Sequence, residues 1–318
     1  MSARTIVYLL IAASLAGLVV LPFVAEKFYV QFATRLLIMA MFAASLNLLV
    51  GYAGLVSLGH AAFFGVAGYL LALTTPQYEA ADFLPSLCIA VGGAALLALL
   101  IGALVLRTSG VYFIMATLAS AQMLYFVFHD AGFAGGSDGI YIYVRPIAQV
   151  FGWQPFDLEN FMHFYFVVLV LFALATGLLR LLVESPFGRV IAGIRVNEHR
   201  MRALGFATYR YKLVAFVIAG ALAGLAGFLS ALQFGVVNPD MLGWHLSGSA
   251  LMMVILGGMG TLFGPLFGAA AMLLLELGFQ SLTKHWQLLM GAVIVLVALS
   301  LPRGLAGLLS WRTVPRDD

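Results

Sequence analysis

The sequence predicts an all-α polytopic membrane protein of about ten transmembrane helices, some of them broken or re-entrant. Hydrophobic residues make up 63% of the 318-residue chain and charged residues only 9%. A soluble domain would carry about 25% charged residues. The apolar residues form runs of about 18–24 residues, the length that a helix needs to cross the hydrocarbon layer. The sequence shows no period-two alternation typical of a barrel, and helices satisfy their own backbone hydrogen bonds in lipid.

The apolar runs define the predicted spans from the beginning of the chain to its end. The first run follows Arg4 and is longer than the hydrophobic core of a cleaved signal peptide, so we interpret it as a retained span. No polar stretch is long enough for a soluble domain, and residues 1–318 are therefore predicted to form a single transmembrane domain. The spans are about 5–25, 30–50, 53–75, 84–106, 111–130, 161–183, 212–233, 247–262, 264–281 and 286–302.

The basic residues favour one orientation of these spans. With both termini in the cytoplasm, 12 of the 16 lysines and arginines lie inside and 4 lie outside, as the positive-inside rule predicts. The formal net charge of +3 is explained by this orientation, and no nucleic-acid partner is expected. The inner residues are Arg4, Arg107, Arg180, Arg189, Arg195, Arg200, Arg202, Arg210, Lys212, Arg303, Arg312 and Arg316; the outer ones are Lys27, Arg35, Arg145 and Lys284.

Two long loops connect the spans, an outer one at about 131–160 and an inner one at about 184–211. The inner loop contains apolar residues near helical spacing among five arginines, and Gly205 is well placed to end a short helix. Such an amphipathic helix either lies on the lipid surface or docks onto a soluble partner. The apolar residues are Ile191, Ile194, Met201 and Leu204.

Glycine clusters predict a broken helix in each half of the chain, in the third and the eighth spans. The first contains Gly51, Gly54 and Gly59, and the second contains Gly257, Gly258 and Gly260 ahead of a proline. Paired breaks of this kind are typical of transporters built from repeats, whose freed backbone groups contact a polar solute. The alternative for the first cluster is a tight helix interface made of small residues.

Several chemistries have no motif in the sequence. No lysine follows a glycine, so a phosphate-binding P-loop is absent, and no HExxH motif occurs. Cys88 is the single cysteine, which excludes a disulfide framework and a cysteine-rich metal site. Glu276 is the one acidic residue in the interior of a predicted span, where it either serves a function or reaches toward the membrane surface. The chain is therefore not expected to be an enzyme, and an ion- or proton-coupled secondary carrier remains the alternative to an ATP-driven importer.

Six sequence blocks together resemble the LivM-type permeases of branched-chain amino acid ABC importers. The resemblance covers nearly the whole chain. The blocks are LNLLVGYAGLVSLGHAAFFGVAGY, GVYFIMATLA, GGSDGI, FGRVIAGIRVNEHRMRALGFATYRYKLVAFVIAGALAGLAG, LGGMGTLFGPLFGA and PRGLAGLL.

The resemblance implies a bacterial inner-membrane importer with several chains. A homologous second permease would pair with this one, two cytoplasmic ATPases would bind ATP and magnesium, and a periplasmic binding protein would deliver the solute. This chain itself would hold no cofactor and no metal. Its inner loop resembles the ATPase-coupling motif of the family at Arg195, Asn197, Glu198, Ala203, Leu204 and Gly205.

The solute itself stays open, since relatives import urea, amides and aromatic acids with the same architecture. The chain also departs from common family residues at Leu55, Gln122, the pair Arg200 and Met201, and Ser249. Polar side chains beside the predicted breaks or within a span are the candidates to line or shape the solute path, and they are Asn47, Ser57, His60 and Gln122. Whether the second permease is a different chain or a second copy also stays open.

Overall fold

The computed structural model describes residue 17 and residues 19–76, 80–147, 156–301 and 304–310. Most of the first predicted span therefore lies outside the described residues, as does part of the outer loop at 148–155. The basic residues near the chain ends, Arg4, Arg303, Arg312 and Arg316, also lie outside them.

Helices make up most of the described chain, and each predicted span from the second to the tenth overlaps one α-helix of at least 14 residues. The α-helices are α1 (Lys27–Asn47), α2 (Ala61–Thr74), α3 (Phe83–Val105), α4 (Val111–Asp130), α5 (Phe161–Glu184), α6 (Pro186–Val196), α7 (Glu198–Ala203), α8 (Thr208–Phe234), α9 (Trp244–Gly257), α10 (Gly264–Leu282), α11 (Trp286–Ser300) and α12 (Gly304–Ser310). A π-helix (Leu48–Ala53) extends α1, and short 3₁₀ turns cover Gly132–Ala134, Gly136–Asp138 and Pro239–Leu242. Two short strands are β1 (Ile140–Tyr141) and β2 (Val236–Val237).

Six of these segments are long and apolar enough to cross a membrane: α1 with its π-helix, α3, α4, α5, α8 and α10. The helices α2, α9 and α11 are apolar but shorter. The chain is therefore an all-α protein with several membrane-spanning helices, as the composition predicts.

Helices α1 and α8 lie at the centre of the helix bundle. The most apolar stretch of α1 and its π-helix is 83% buried within the chain, whereas that of α4 is only 17% buried. Small residues let α8 approach its neighbours closely, because Gly220 faces Ala98 and Gly224 faces Ala94 on α3. Small residues at four-residue spacing on both partners are a common basis of helix association in membranes.

Both predicted helix breaks are present. The π-helix ends at Gly54, whose φ of 71° is in the left-handed region, and α2 begins only at Ala61. In the second half, α9 ends at Gly257, and Gly258 and Gly260 have φ values of 114° and 76° before α10 begins. Glycine is the residue that adopts such positive φ angles without a steric penalty.

The described parts of the outer loop contact the end of α8. Strand β1 pairs antiparallel with β2, which directly follows that helix. The Arg145 guanidinium donates to the Leu158 carbonyl at 2.6 Å and to the Gln233 carbonyl at 3.4 Å. These bonds anchor both sides of the loop to the helix bundle.

Arg35 and Glu276 form an ion pair between α1 and α10. Their closest atoms, Nη2 and Oε1, are 3.4 Å apart, and the Gln280 amide donates to the same carboxylate at 3.2 Å. Arg35, which the charge count placed among the outer residues, lies in the third turn of α1, about 12 Å from the first residue of that helix. Glu276 is paired within the chain at that depth, which lowers the cost of a carboxylate near lipid.

Candidate coupling and transport site

Asn47 joins the two helix breaks. Its side-chain Nδ2 donates to the Thr261 carbonyl at 2.8 Å, and its Oδ1 accepts from the Gly260 N–H at 3.0 Å. The residue is only 2% exposed. A single carboxamide therefore satisfies a backbone acceptor and a backbone donor of the second break from the last turn of α1.

Gly51 makes this contact possible because it has no side chain. A Cβ at this position would collide with Asn47 Oδ1 and with the Gly260 nitrogen. The Gly51 carbonyl accepts a hydrogen bond from Arg195 Nη1 of the inner loop. Residues from the first break, the second break and the predicted coupling motif thus meet at one place.

His60 lies in the packed interior beside the first break. Its Nε2 is 2.8 Å from Ser45 Oγ, and the Ser45 hydroxyl donates to the Phe42 carbonyl at 2.7 Å. Since that hydroxyl proton is already used, Nε2–H must donate to Ser45, and Nδ1 has no hydrogen-bond partner among the described residues. The ring also stacks on Phe42 at a centroid distance of 5.6 Å.

The irregular backbone between Gly54 and Ala61 is satisfied by side-chain hydroxyls. The Gly59 N–H donates to Ser57 Oγ at 3.3 Å, and the Ala61 N–H donates to Ser247 Oγ of α9 at 2.8 Å. The Leu58 N–H donates to Thr117 Oγ1 of α4 at 3.3 Å. Non-helical backbone at membrane depth is tolerated where protein groups take over its hydrogen bonds in this way.

Thr117 and Ser247 were not among the residues predicted from the sequence. Both are buried hydroxyls within otherwise apolar helices. Polarity in an apolar run was the available signal, but serine and threonine also commonly bond the carbonyl of their own helix. The pattern alone did not distinguish the two roles.

Gln122 lies on the mostly exposed helix α4, whereas the other three path candidates lie beside the first break. The residue is partly buried, and its Oε1 is enclosed without a hydrogen-bond partner in the described part of the chain. Enclosing an amide oxygen without a hydrogen-bond partner costs free energy. The four candidates therefore form two separate groups.

The inner loop folds as two helices rather than the single helix predicted from its spacing. Helix α6 is capped at its start by Ser185, whose hydroxyl accepts from the Gly188 N–H at 3.3 Å, and Asn197 is its C-cap. Asn197 is extended, with φ −157°, and its Oδ1 accepts from the Arg200 N–H at 2.9 Å. Asparagine is a strong N-cap, so it ends one helix and starts α7.

Glu198 fixes α7 against the start of α8. Its carboxylate accepts from Arg202 at 2.6 Å, from the Thr208 hydroxyl at 3.0 Å and from the Lys212 ammonium at 3.1 Å. Burial by itself would raise the pKa of Glu198, but the bonds from Lys212, Arg202 and Thr208 together lower the pKa below its ordinary value. The carboxylate is therefore held in its charged form.

The predicted coupling residues present an exposed surface on this scaffold. Leu204 is 66% exposed, and its neighbour on this surface Val196, which was not among the predicted coupling residues, is 83% exposed. Gly205 has φ +88°, as its predicted role at a helix end requires. Asn197 and Ala203 are exposed as well, and Glu198 is half-buried.

Replacing Lys212 by methionine is expected to loosen the inner loop, because it removes a charged donor from the Glu198 carboxylate. We expect α7 to lose about 1–2 kcal/mol of local stability, seen as faster amide hydrogen exchange over 197–208. Arg200→Met is the matched control, since Arg200 is exposed on the same loop. Equal amide exchange in Lys212→Met and Arg200→Met would contradict a stabilising role for the contact between Glu198 and Lys212.

Acid is expected to loosen the same segment in the unchanged protein. The pKa of Glu198 is lowered on folding, so its stabilising contribution is complete above the ordinary value of 4.5 and is lost as the pH falls through the lowered value. Exchange over 197–208, corrected for intrinsic rates, should stay constant from neutral pH to about pH 5 and rise only in stronger acid. A rise near neutral pH would contradict this assignment.

Within the described ranges, no group of three or more histidine, cysteine or acidic residues could hold a metal ion. The geometry instead consists of backbone breaks, buried neutral side chains and an exposed inner loop.

Comparison with known proteins agrees with this description. The family described as "Branched-chain amino acid transport system / permease component" matches residues 28–298. The chain is 30% identical over 316 residues to the high-affinity branched-chain amino acid transport system permease protein LivM of Escherichia coli (strain K12), covering 93% of this chain and 74% of the relative. The protein of the same name from Salmonella typhimurium is 29% identical over the same shares.

A shorter match links the chain to a second permease type. It is 29% identical over 125 residues to the permease protein LivH of Escherichia coli (strain K12), covering 39% of this chain and 40% of the relative. No solved structure matches the chain.

Proposed function

Because the chain belongs to the family of permease components of branched-chain amino acid transport systems, we propose that it is the membrane-spanning permease subunit of an ATP-binding-cassette importer. Its solute is a branched-chain amino acid or a related small polar molecule delivered by a periplasmic binding protein. The observation that carries this proposal is the similarity to LivM over 93% of the chain. The chain is a transport component and not an enzyme.

The importer contains further chains. A homologous permease pairs with this one, and the similarity of the chain to both LivM and LivH supports a pair of related subunits. Two cytoplasmic ATPases bind ATP and magnesium, and the exposed apolar residues Val196 and Leu204 of the inner loop contact them. The second permease covers α4, which this chain leaves mostly exposed although it carries Gln122.

Solute passes between the two permeases while the ATPases move the inner loops. Gln122 faces this path from α4, and Ser57 and His60 shape it by holding the first break in place. The permease has two packings of similar free energy, and ATP and the loaded binding protein each bias the balance between them. No covalent step occurs on this chain.

Uptake measurements test the proposal. The chain reconstituted with its genomic neighbours should accumulate branched-chain amino acid when ATP is supplied inside, and a protonophore should not stop this uptake. The isolated chain should hydrolyse no ATP, since it has no glycine-lysine phosphate loop. Uptake that continues without ATP and collapses with the proton gradient would instead favour the secondary carrier.

In the inner membrane, residues 1–318 form one domain of about ten spans with both termini in the cytoplasm. We therefore expect cysteines at Ser137 and His199 to react with an impermeant thiol reagent from opposite sides. Both positions are exposed, and the Cys88→Ser background is needed because Cys88 is exposed too. The basic excess of the inner loop is the physical cause of this orientation.

The control for the labelling experiment is the Cys88→Ser chain without added cysteines, which should not react. Ser137 should label in intact cells, and His199 only after the membrane is made permeable. Labelling of both cysteines from the same side would refute the ten-span arrangement.

A further inference from the structure

Arg195 of the inner loop reaches the place where both helix breaks meet. Its Nη1 donates to the Gly51 carbonyl, and its side-chain carbons lie against Gly54, where a Cβ would be 3.0 Å from Arg195 Cγ. A Cβ at Gly260 would be 3.4 Å from the same Nη1 atom. One guanidinium therefore contacts the first break directly and lies beside the second.

The contact suits the chemistry of a helix end. The last carbonyls of α1 and its π-helix have no partner within the helix, and they carry the negative end of its dipole. A guanidinium satisfies such a carbonyl with a charge-assisted bond, which is stronger than a neutral one. Because the helix ends at Gly54 with a left-handed turn, the Gly51 carbonyl is free to accept it.

From Gly51 the contact continues to the second half of the chain. Gly51 lies against Gly260, and Asn47 bonds both the Gly260 N–H and the Thr261 carbonyl. Because neither glycine has a side chain, the two backbones are in direct contact, and no side chain between them can absorb a shift. A displacement at the Gly51 carbonyl is thus passed on by backbone contact and by the Asn47 amide.

We propose that Arg195 is a latch that ties the ATPase-contacting loop to both helix breaks, with Asn47 as the second link. Movement of the inner loop then pulls on the end of α1 and, through Asn47, on residues 258–263. Arg195 and Asn47 are positioning residues, and Asn47 acts on the break rather than on the solute. The proposal rests on the proposed function for one point, that the ATPases move the inner loop. The contacts of Arg195 and Asn47 are independent of it.

The first experiment needs only the purified full chain in lipid nanodiscs. Arg195→Met should raise amide hydrogen exchange about ten-fold at both 49–56 and 258–263, because it removes a charge-assisted bond at their junction. Arg189→Met, an exposed arginine of α6, is the matched control and should change neither segment. Arg195→Lys keeps one charged donor and should restore part of the protection.

Two outcomes of this first experiment would overturn the latch even if the chain is an importer subunit. Exchange in Arg195→Met could stay at the level of Arg189→Met, or it could rise in α6 alone and leave both breaks unchanged. The thermal stability of each variant, measured by size-exclusion chromatography after heating, ensures that only folded chains are compared.

The second experiment uses the assembled importer. Arg195→Met and Asn47→Leu should each lower the solute transported per ATP hydrolysed about ten-fold, while the ATPases still co-purify. The double variant should lose little more than either single one, because both links act in series. A KM for the solute that rises in Asn47→Leu at an unchanged transport-to-ATP ratio would place Asn47 in the solute path and contradict the latch. Loss of the ATPases in Arg195→Met would make Arg195 a docking residue instead.

Discussion

Replacing Gly205 by valine should uncouple ATP hydrolysis from uptake in the assembled importer. Gly205 follows α7 with φ +88°, and its N–H donates to the Arg202 carbonyl while the Phe206 N–H donates to the Met201 carbonyl. These two bonds form a Schellman motif. A β-branched residue held at positive φ costs about 1–3 kcal/mol, so the loop would rearrange and displace the exposed Leu204. We expect solute-stimulated ATPase activity to fall about ten-fold or more.

The controls for Gly205 separate backbone strain from steric bulk. No atom lies within 4 Å of a Cβ built at this position, so a side chain has room. Asparagine tolerates the left-handed conformation better than alanine, and alanine better than valine. The asparagine variant should therefore keep the most activity, the alanine variant less, and the valine variant the least. Equal loss in all three would show that the side chain blocks a partner and that strain is not the cause.

The alternative of a lipid-surface helix predicts a different pattern. In that case Gly205→Val and Leu204→Ala should leave the ATPase activity intact. Reversing the charges of Arg189 and Arg200 should instead release the loop from anionic vesicles, in a manner that depends on salt. Co-purification of the ATPases with each variant decides between the two interpretations.

Replacing Gly227 by alanine should strongly destabilise the folded chain. A Cβ at Gly227 would collide with the Phe64 carbonyl in the contact between α8 and α2, and both backbones are buried there. Neither side can yield, because backbone atoms meet backbone atoms. Overpacking typically costs about 1–3 kcal/mol, and more where neither side can relax, against a total stability of about 5–15 kcal/mol. We expect little monodisperse protein in size-exclusion chromatography of a fluorescent fusion.

Gly92→Ala is the matched control for Gly227. It also lies in a long apolar helix, α3, but no atom lies within 4 Å of a Cβ at that position. Alanine is the better helix former, so this variant should be as stable as the original chain or slightly more so. If both alanine variants accumulated equally, the close approach of α8 and α2 would be refuted.

The positions of the long helices could be predicted because the bilayer imposes them. Each must supply a continuous apolar run, and glycine clusters at Gly54 and Gly258 interrupt these runs where the structure breaks. The ion pair of Arg35 could not be predicted, since which charge at membrane depth finds a partner depends on helices distant in sequence. Apolar periodicity contains no information on that pairing.

The inner loop illustrates a second limit. Its apolar spacing predicted a helix ended by Gly205, and the positive φ of that residue agrees. The spacing continues across Asn197, however, and so concealed the cap that divides the segment into α6 and α7. Likewise, Asn47 was predicted as a polar residue beside the path, but its partners Gly260 and Thr261 follow only from the tertiary structure. The local sequence pattern indicates which polar residues matter, whereas the tertiary structure determines their hydrogen-bond partners.

The bonds of Asn47 also constrain how the protein can be made. Asn47 and Thr261 are 214 positions apart, and Ala61 and Ser247 are 186 apart. During synthesis the first helices leave the ribosome long before these partners exist, and an unpaired amide released into lipid is costly. These bonds can form only once the last third of the chain has been made. The contacts around the first break are therefore completed late in synthesis, so this part of the permease matures as a unit rather than helix by helix.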